Sequence, residues 1–253
     1  MIDTAAAVEW VIAHGDESDG HRLATVLTGV WPTPLGVADA LFADQSPEGG
    51  FPAPWSTGAP SVAATCERLA QIIELDLQYS SRVDRCADWL AALVAPDGTV
   101  RSAVDAGHLP SPDPLYLPAN VGWCLAILDR PEAASRAARA VRDGVEASGA
   151  WPSCLTTTWL AAALLWAVGL REDADQGLDI LARRLLDAPP ADVARAGWAL
   201  RTALLPPHHP VFPAVVRRLT ATQRPDGSWP VDGPPAEQVA VAITAIAAVA
   251  GLV

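Results

Sequence analysis

The chain has 253 residues, about half of them apolar and under a fifth charged, so a large core can form within one or two domains. The net charge is −12, and all seventeen basic residues are arginine. That balance argues against a non-specific nucleic-acid surface, which needs clustered positive charge, and against attachment to an anionic membrane by charge.

The N-terminal stretch MIDTAAAVEW has no basic region ahead of an apolar one and does not read as a secretion signal. Along the chain, helical spacing of apolar residues recurs in twelve segments. Two with charges on one face come first, 4–15 and 21–30, followed by the more apolar 33–45 and 59–75. The segment at 80–94 is amphipathic, 117–129 apolar and 130–147 amphipathic. The alternation continues with 154–170 (apolar), 171–188 (amphipathic), 190–205 (apolar), 209–223 (amphipathic) and 236–252 (apolar). We call the six apolar segments inner, because a helix packed on two sides must be apolar almost all round, and the six amphipathic ones outer. The longest apolar run, Val239–Val253, has fifteen residues, short of the eighteen or so that suggest a membrane span, and reads as a buried helix. No alternating strand pattern is visible. Cys66, Cys86, Cys124 and Cys154 are widely spaced with no C-x-x-C, the usage expected of reduced thiols in a cytoplasmic protein.

A turn recurs at the joints: QSPEGGFP (45–52), APDGTV (95–100), ASGAWP (147–152) and QRPDGSWP (223–230). Acidic residue and glycine make the turn. The aromatic that follows, Phe51, Trp151 or Trp229, is expected to fold back over the joint and fill space between repeats, its burial contributing roughly 2–3 kcal/mol. A regular helical repeat of this kind calls for a repeat architecture.

QRPDGSWP resembles the Q-x-x-x-G-x-W repeat of squalene–hopene and oxidosqualene cyclases, and QSPEGGFP resembles the G-G-F form in protein prenyltransferase β-subunits. Over about 34–250 the chain looks like a member of this repeat group. The resemblance implies an all-α fold, an α/α toroid of about six inner and six outer helices, as a single domain over 1–253. It also implies an apolar central funnel, which in relatives holds an isoprenoid chain. Fold alone does not give function.

The group's proton-initiated cyclases carry an Asp-x-Asp-Asp motif at the start of one inner helix, whose middle acid protonates an alkene or epoxide. That acid must stay protonated beside an apolar cavity. No such motif occurs here. At 192–195 Asp192 keeps the first position, while Ala194 and Arg195 replace the pair. EDAD at 172–175 begins an outer segment and reads as a helix N-terminal charge cluster. Glu237 falls near the place of the middle acid, with Gln238 beside it to hydrogen-bond; it is either a general acid or a carboxylate satisfying free helix N–H groups. Asn120, Thr156, Thr157, Thr158 and Arg195 offer hydrogen bonds at the other inner starts. The proline-rich stretch 105–123, with His108, Asp113 and Tyr116, is either a binding loop or a rigid excursion. Trp123 and Trp159 either line the cavity, where aromatic faces stabilise a cation, or pack the core.

Prenyltransferases need zinc held by Asp-x-Cys and a distant histidine. Asp84-Arg85-Cys86 has the spacing but lies in an outer segment, and His208 and His209 have no cysteine nearby. His14, His21 and His108 read as surface or loop residues. No metal and no cofactor is expected. The first expectation is a small terpene-cyclase-like enzyme acting on an apolar isoprenoid or polyketide-like substrate, with Glu237, Asp113 and Asp192 as acids. Trp123, Trp159, Tyr116, Asn120, Thr157, Arg195 and Gln238 would bind the substrate. The alternatives are a non-catalytic toroid that binds an apolar ligand or docks a partner, and a degenerate zinc prenyltransferase. The large cyclases place the site between two barrels, so a homodimer is a further expectation.

Overall fold

The computed structural model describes residues 2–29 and 35–252. Among them the chain forms twelve helices: α1 (Thr4–His14), α2 (Glu17–Thr28), α3 (Leu35–Leu41), α4 (Val62–Glu74), α5 (Ser81–Leu93), α6 (Tyr116–Ile127), α7 (Pro131–Ser148), α8 (Leu155–Ala167), α9 (Arg171–Arg184), α10 (Pro190–Thr202), α11 (Val211–Thr222) and α12 (Pro235–Val249). A short antiparallel pair, β1 (Phe51–Pro52) and β2 (Pro60–Ser61), sets Phe51 opposite Ser61. Each predicted segment overlaps one helix, with α2 starting at Glu17, four residues ahead of the predicted 21. Val30, the residues Thr33 and Pro34 that were expected to open the third segment, and the terminal Val253 lie outside the described residues.

Local chemistry places the helix ends. Asp3 accepts from the Ala6 N–H at 2.9 Å to cap α1, and Asp16 and Asp19 form a reciprocal capping box on α2. Ser61 and Ser80 cap α4 and α5. Pro131, Pro190 and Pro235 stand at the starts of α7, α10 and α12, where a missing N–H costs nothing.

The helices pack into two compact units, one of residues 1–33 and 178–253 and the other of 34–177, with the division inside α9. In the 34–177 unit, α6 packs against α4, α5, α7 and α8. Tyr116 to Leu125 are therefore all buried except Asn120. Gly122 permits this density: a Cβ there would lie 2.5 Å from Leu164 of α8 and 2.9 Å from Ala137 of α7. By contrast α7 buries only a stripe, Ala133, Ala134, Ala137, Ala138 and Val141, the spacing of one helix face. Arg130, just before α7, ties it to α5 through Asp88 at 2.8 Å and Asp84 at 3.0 Å.

In the other unit α12 has the role of α6, packing against α1, α2, α10 and α11. This changes the assignment of two helices. The sequence reading counted the 21–30 segment as outer and 33–45 as inner. Yet α2 lies against both α1 and α12, the neighbours an inner helix has. The seven-residue α3 sends Asp39 to Arg82 of the amphipathic α5 at 3.1 Å. Charge at the first turn of α2 serves its own cap and an Arg22–Asp19 pair at 3.1 Å, so it does not report which face is packed.

The turn motifs have a common architecture. At the end of α11, Gln223 accepts from the Asp3 N–H at 2.8 Å and donates to the Asp3 carbonyl at 2.9 Å and the Gly227 carbonyl at 3.2 Å. Gln45 likewise donates to the Gly49 carbonyl at 3.1 Å and to the Arg82 carbonyl at 2.8 Å, just inside α5. Gly227 has φ +90, and any Cβ there would strike the Ala6 backbone of α1; at Gly49 and Gly98 a Cβ would strike Arg85 of α5 and Arg136 of α7. Three of the four turns therefore seat a glycine on the backbone of an amphipathic helix; Gly149 of the 147–152 turn has open space around it. The 223–230 turn clamps the chain's end onto its beginning. Trp229 completes that clamp: it is fully buried and its indole N–H donates to the Leu219 carbonyl at 2.9 Å. Phe51 is also buried, while Trp151 is half-buried against Gly177 of α9.

Candidate functional site

In the 34–177 unit the polar side chains of interest stand on α6, α8 and the stretch leading into α6. Tyr116, Asn120, Trp123 and Ile127 recur at spacings of three and four along α6 and share one face. Asn120 donates through Nδ2 to the Tyr116 hydroxyl at 3.2 Å. Burial, helped by the negative fields of Cys66, Glu67 and Cys124, pushes that hydroxyl well above the usual tyrosine range, against the lowering effect of the Asn120 bond. Tyr116 is therefore a neutral phenol at any working pH. Cys66 of α4 is also held well above the ordinary thiol range, first by its hydrogen bond with Cys124 of α6 and then by burial.

The expected pairing of Asp113 with Tyr116 is one of backbone only. The Tyr116 N–H donates to the Asp113 carbonyl at 3.0 Å, while the Asp113 carboxylate accepts from the Leu115 N–H at 2.9 Å. Its own N–H donates to Ser111 Oγ at 3.2 Å, and Thr157 of α8 donates to the same oxygen at 3.2 Å. Cys154, preceding α8, belongs to this group. Burial pushes its thiol up, but hydrogen bonds from Ser111, from Thr157 and from the Thr156 and Thr157 N–H groups outweigh it and bring the thiol below its ordinary value. Farther back, Asp105 is completely buried and accepts from Ser61 Oγ at 2.5 Å and the Val62 N–H at 2.9 Å. The proline-rich stretch is thus pinned at two points, by Asp105 to the start of α4 and by Ser111 to α8. Trp55 stacks on His108, ring centroids 5.1 Å apart, at the exposed surface between the pins.

Trp123 and Trp159 are both buried. Trp159 lies on the least buried face of α8, with Leu155, Thr156 and Trp166, and its Nε1 has no hydrogen-bond partner among the described residues.

In the unit of residues 1–33 and 178–253, three predicted residues come together. Arg195 of α10 reaches Asp192 of its own first turn at 3.9 Å and Glu237 of α12 at 3.8 Å. Side-chain exposures of 51% for Arg195, 40% for Glu237 and 30% for Asp192 make this a solvated cluster. It is the opposite of the charge-free apolar pocket that keeps an acid protonated. The Glu237 N–H turns back to the Pro234 carbonyl at 2.9 Å. Gln238 is half-buried beside it and makes no hydrogen bond to it among the described residues. Trp198 follows Arg195 by three residues on the same face of α10.

The residues of the zinc spacing are engaged otherwise. Asp84 pairs with Arg130. Cys86 donates to the Gly49 carbonyl at 2.9 Å and accepts from Gln45 at 3.0 Å; burial pushes its thiol up to about 11. A surface depression of about 300 Å³ between α5 and α7, lined by Asp129, Arg130, Glu132 and Arg136, is too charged for an apolar guest.

Sequence reasoning missed Asp105, Ser61, Ser111, Cys154, Glu67 and Trp198. Trp198 was accessible: Gly197-Trp198 repeats Gly122-Trp123 in the next inner helix but one. The others are joined by contacts across more than forty positions, which no local pattern announces.

No known protein family and no curated protein matches the sequence. Solved structures do. A variant of the type II terpene cyclase MstE from Scytonema, in complex with its substrate geranylgeranyl dihydroxybenzoate, matches at 16% identity over 99% of this chain and 97% of that one, with a TM-score of 0.57. A second variant of MstE, in complex with its product merosterolic acid A, gives 16%, 99%, 96% and 0.58. A protein from Actinoplanes gives 17%, 98% of each chain and 0.61. At such identity the likeness shows fold alone, and it shows that fold: the all-α, α/α-toroid class of terpene cyclases expected from the repeats. Among the described residues no helix is long and apolar enough to cross a membrane.

Proposed function

We propose that this chain is a small terpene-cyclase-like enzyme acting on an apolar isoprenoid or polyketide-like substrate. The observation that carries the reading is the make-up of α6, α8 and α12. Each is buried nearly all round, yet each offers a polar side chain on its least buried face: Asn120, Thr156 and Glu237. Apolar surface with a few placed polar groups is what an apolar ligand with one reactive position requires. The likeness to a cyclase whose structures hold an isoprenoid substrate and its product supports it. So does its extent over 99% of the chain, which favours one domain over 1–253.

In this reading an acid protonates an alkene, and the resulting carbocation is stabilised by the faces of Trp123 and Trp159 until a proton is lost. In the unit of residues 1–33 and 178–253 Glu237 is the first candidate acid, with Asp192 behind it and Arg195 and Gln238 as substrate-positioning groups; in the 34–177 unit Asp113 is the candidate acid, with Tyr116, Asn120 and Thr157 as positioning groups. Glu237→Gln is expected to lower turnover of a polyprenyl substrate by roughly 10²- to 10⁴-fold while leaving its binding intact. Unchanged turnover removes Glu237 as the acid.

The second reading is a protein of the same fold that binds an apolar ligand without chemistry. The Arg195 ion pairs to Glu237 and Asp192 favour it, because they occupy both acids with a cation. Wild-type protein that binds polyprenyl ligands and never converts them would decide for it.

A further inference from the structure

Two buried donors on the facing helices α6 and α8 have no acceptor among the described residues, a state that Arg136 Nε and Trp151 Nε1 share elsewhere in the 34–177 unit. The first is the Tyr116 hydroxyl. Tyr116 is 5% exposed, and its oxygen accepts from Asn120 Nδ2. That bond occupies a lone pair and leaves the phenolic proton to be donated elsewhere. No other hydrogen bond engages this hydroxyl among the described residues. The second is Trp159 Nε1–H, with the residue 8% exposed and the nitrogen fully covered. Buried donors are nearly always satisfied, so each such exception asks for an explanation. Here both exceptions have the same polarity, and they stand on α6 and α8, helices packed against each other. Both belong to the least buried faces of those helices, beside Asn120 and Thr156. What is missing in this region is an acceptor, not a donor.

Charge narrows the acceptor. Tyr116 and Trp159 are nearly wholly buried, and no arginine engages Tyr116, Asn120 or Trp159 among the described residues. A carboxylate or diphosphate brought to that hydroxyl would be desolvated with no cation to pair it. A neutral ether or carbonyl oxygen needs no cation.

We propose that the Tyr116 hydroxyl, held by Asn120, is a specificity group that donates to a neutral oxygen of the ligand, with Trp159 Nε1 as a second donor. This rests on the reading that the chain takes an apolar isoprenoid-type ligand, and it narrows the class to one carrying an ether or carbonyl oxygen rather than a pure hydrocarbon. Asn120 is a positioning residue: by donating to the phenol oxygen it turns the phenol proton toward the ligand.

The test is a tryptophan-fluorescence titration with two matched probes, geranylgeranyl methyl ether and the hydrocarbon of the same chain lacking the oxygen. Wild-type protein is expected to bind the ether about 3- to 10-fold more tightly, the range of one net hydrogen bond. Tyr116→Phe is expected to reduce that preference to what Trp159 Nε1 alone provides, and Asn120→Ala to reduce it as well. Equal wild-type affinity for the two probes overturns the proposal. So does a preference undiminished by Tyr116→Phe, the outcome if the Asn120 amide takes the phenol proton itself. If Tyr116→Phe fails to fold, Asn120→Ala decides, and a full preference there overturns it. Failure of the wild type to bind either probe overturns the apolar-ligand reading itself, and the proposal with it.

Discussion

Cys154 shows how a single side chain takes its chemistry from residues distant in sequence. Alone among the four cysteines it is only half-buried, and several donors surround it. Ser111, Thr157 and two backbone N–H groups at the start of α8 favour its thiolate. The direction of the effect gives a pH prediction. A lowered folded value places the thiolate at lower pH than a free thiol, so alkylation of Cys154 by iodoacetamide should reach half its maximal rate below the pH at which a free cysteine does. Ser111→Ala removes a donor, and should move that curve upward and slow the reaction at neutral pH. Cys66 and Cys86, buried and with thiols pushed up, should remain unlabelled in the native protein. Peptide mass spectrometry after labelling at a series of pH values reads all three sites at once. Equal labelling of Cys154 and Cys86 would contradict the account. The same dependence on distant partners explains why the acids were hard to judge from sequence. Glu237 and Asp192 are recognisable as carboxylates near helix starts. That both face one arginine is visible only once α10 and α12 are packed.

At the scale of elements, the turn at 223–230 is the clearest case of sequence specifying structure. Asp-Gly-Ser at 226–228 and Asp-Gly-Thr at 97–99 close in the same way, the carboxylate accepting from the hydroxyl and N–H two residues on. Those bonds hold both aspartates below the usual carboxylate range, the bonds to Ser228 for Asp226 and to Thr99 for Asp97. A value depressed in the folded state contributes stability above the unfolded carboxylate range and loses it as pH falls through the folded value. Asp226→Ala should therefore narrow the gap in stability between neutral and strongly acidic pH. The aromatic after the turn matters more. Trp229→Ala is expected to cost about 3–5 kcal/mol. Trp229→Phe, which mainly loses the indole bond to Leu219, should cost about 1–2 kcal/mol. Gly227→Ala, with φ +90 and the Ala6 backbone in the way, should cost more than about 1 kcal/mol. Urea denaturation of the three variants orders them. A Trp229→Ala variant as stable as wild type would show that the turn does not clamp α11 to α1. The helices themselves were legible because apolar spacing and end signals agreed. The roles of α2 and α3 were not, because the packing of α2 on α12 joins opposite ends of the chain and no local pattern announces it.

For the whole molecule, the repeat was the informative signal. In the 45–52 and 223–230 turns glutamine, glycine and aromatic stand at the same offsets, and each has one job: binding an amphipathic helix, letting its backbone approach, and filling the joint. This is why the fold could be read from a chain that no family matches, and why the likeness to cyclases spans 99% of it at 16% identity. The site was less legible for a related reason. Its polar groups stand on helices whose remaining surface is buried in packing, so each looks like core until its neighbours are known. Tyr116 and Asn120 were singled out by position, but the bond between them was not. Nor was the pinning of the 105–115 stretch through Asp105 and Ser111. The central claim is that this fold presents an apolar ligand site. Native mass spectrometry of the purified protein with farnesol and geranylgeraniol tests it most directly. The account predicts a one-to-one complex that survives transfer and releases the alcohol on denaturation; a protein that forms no complex with either would contradict it.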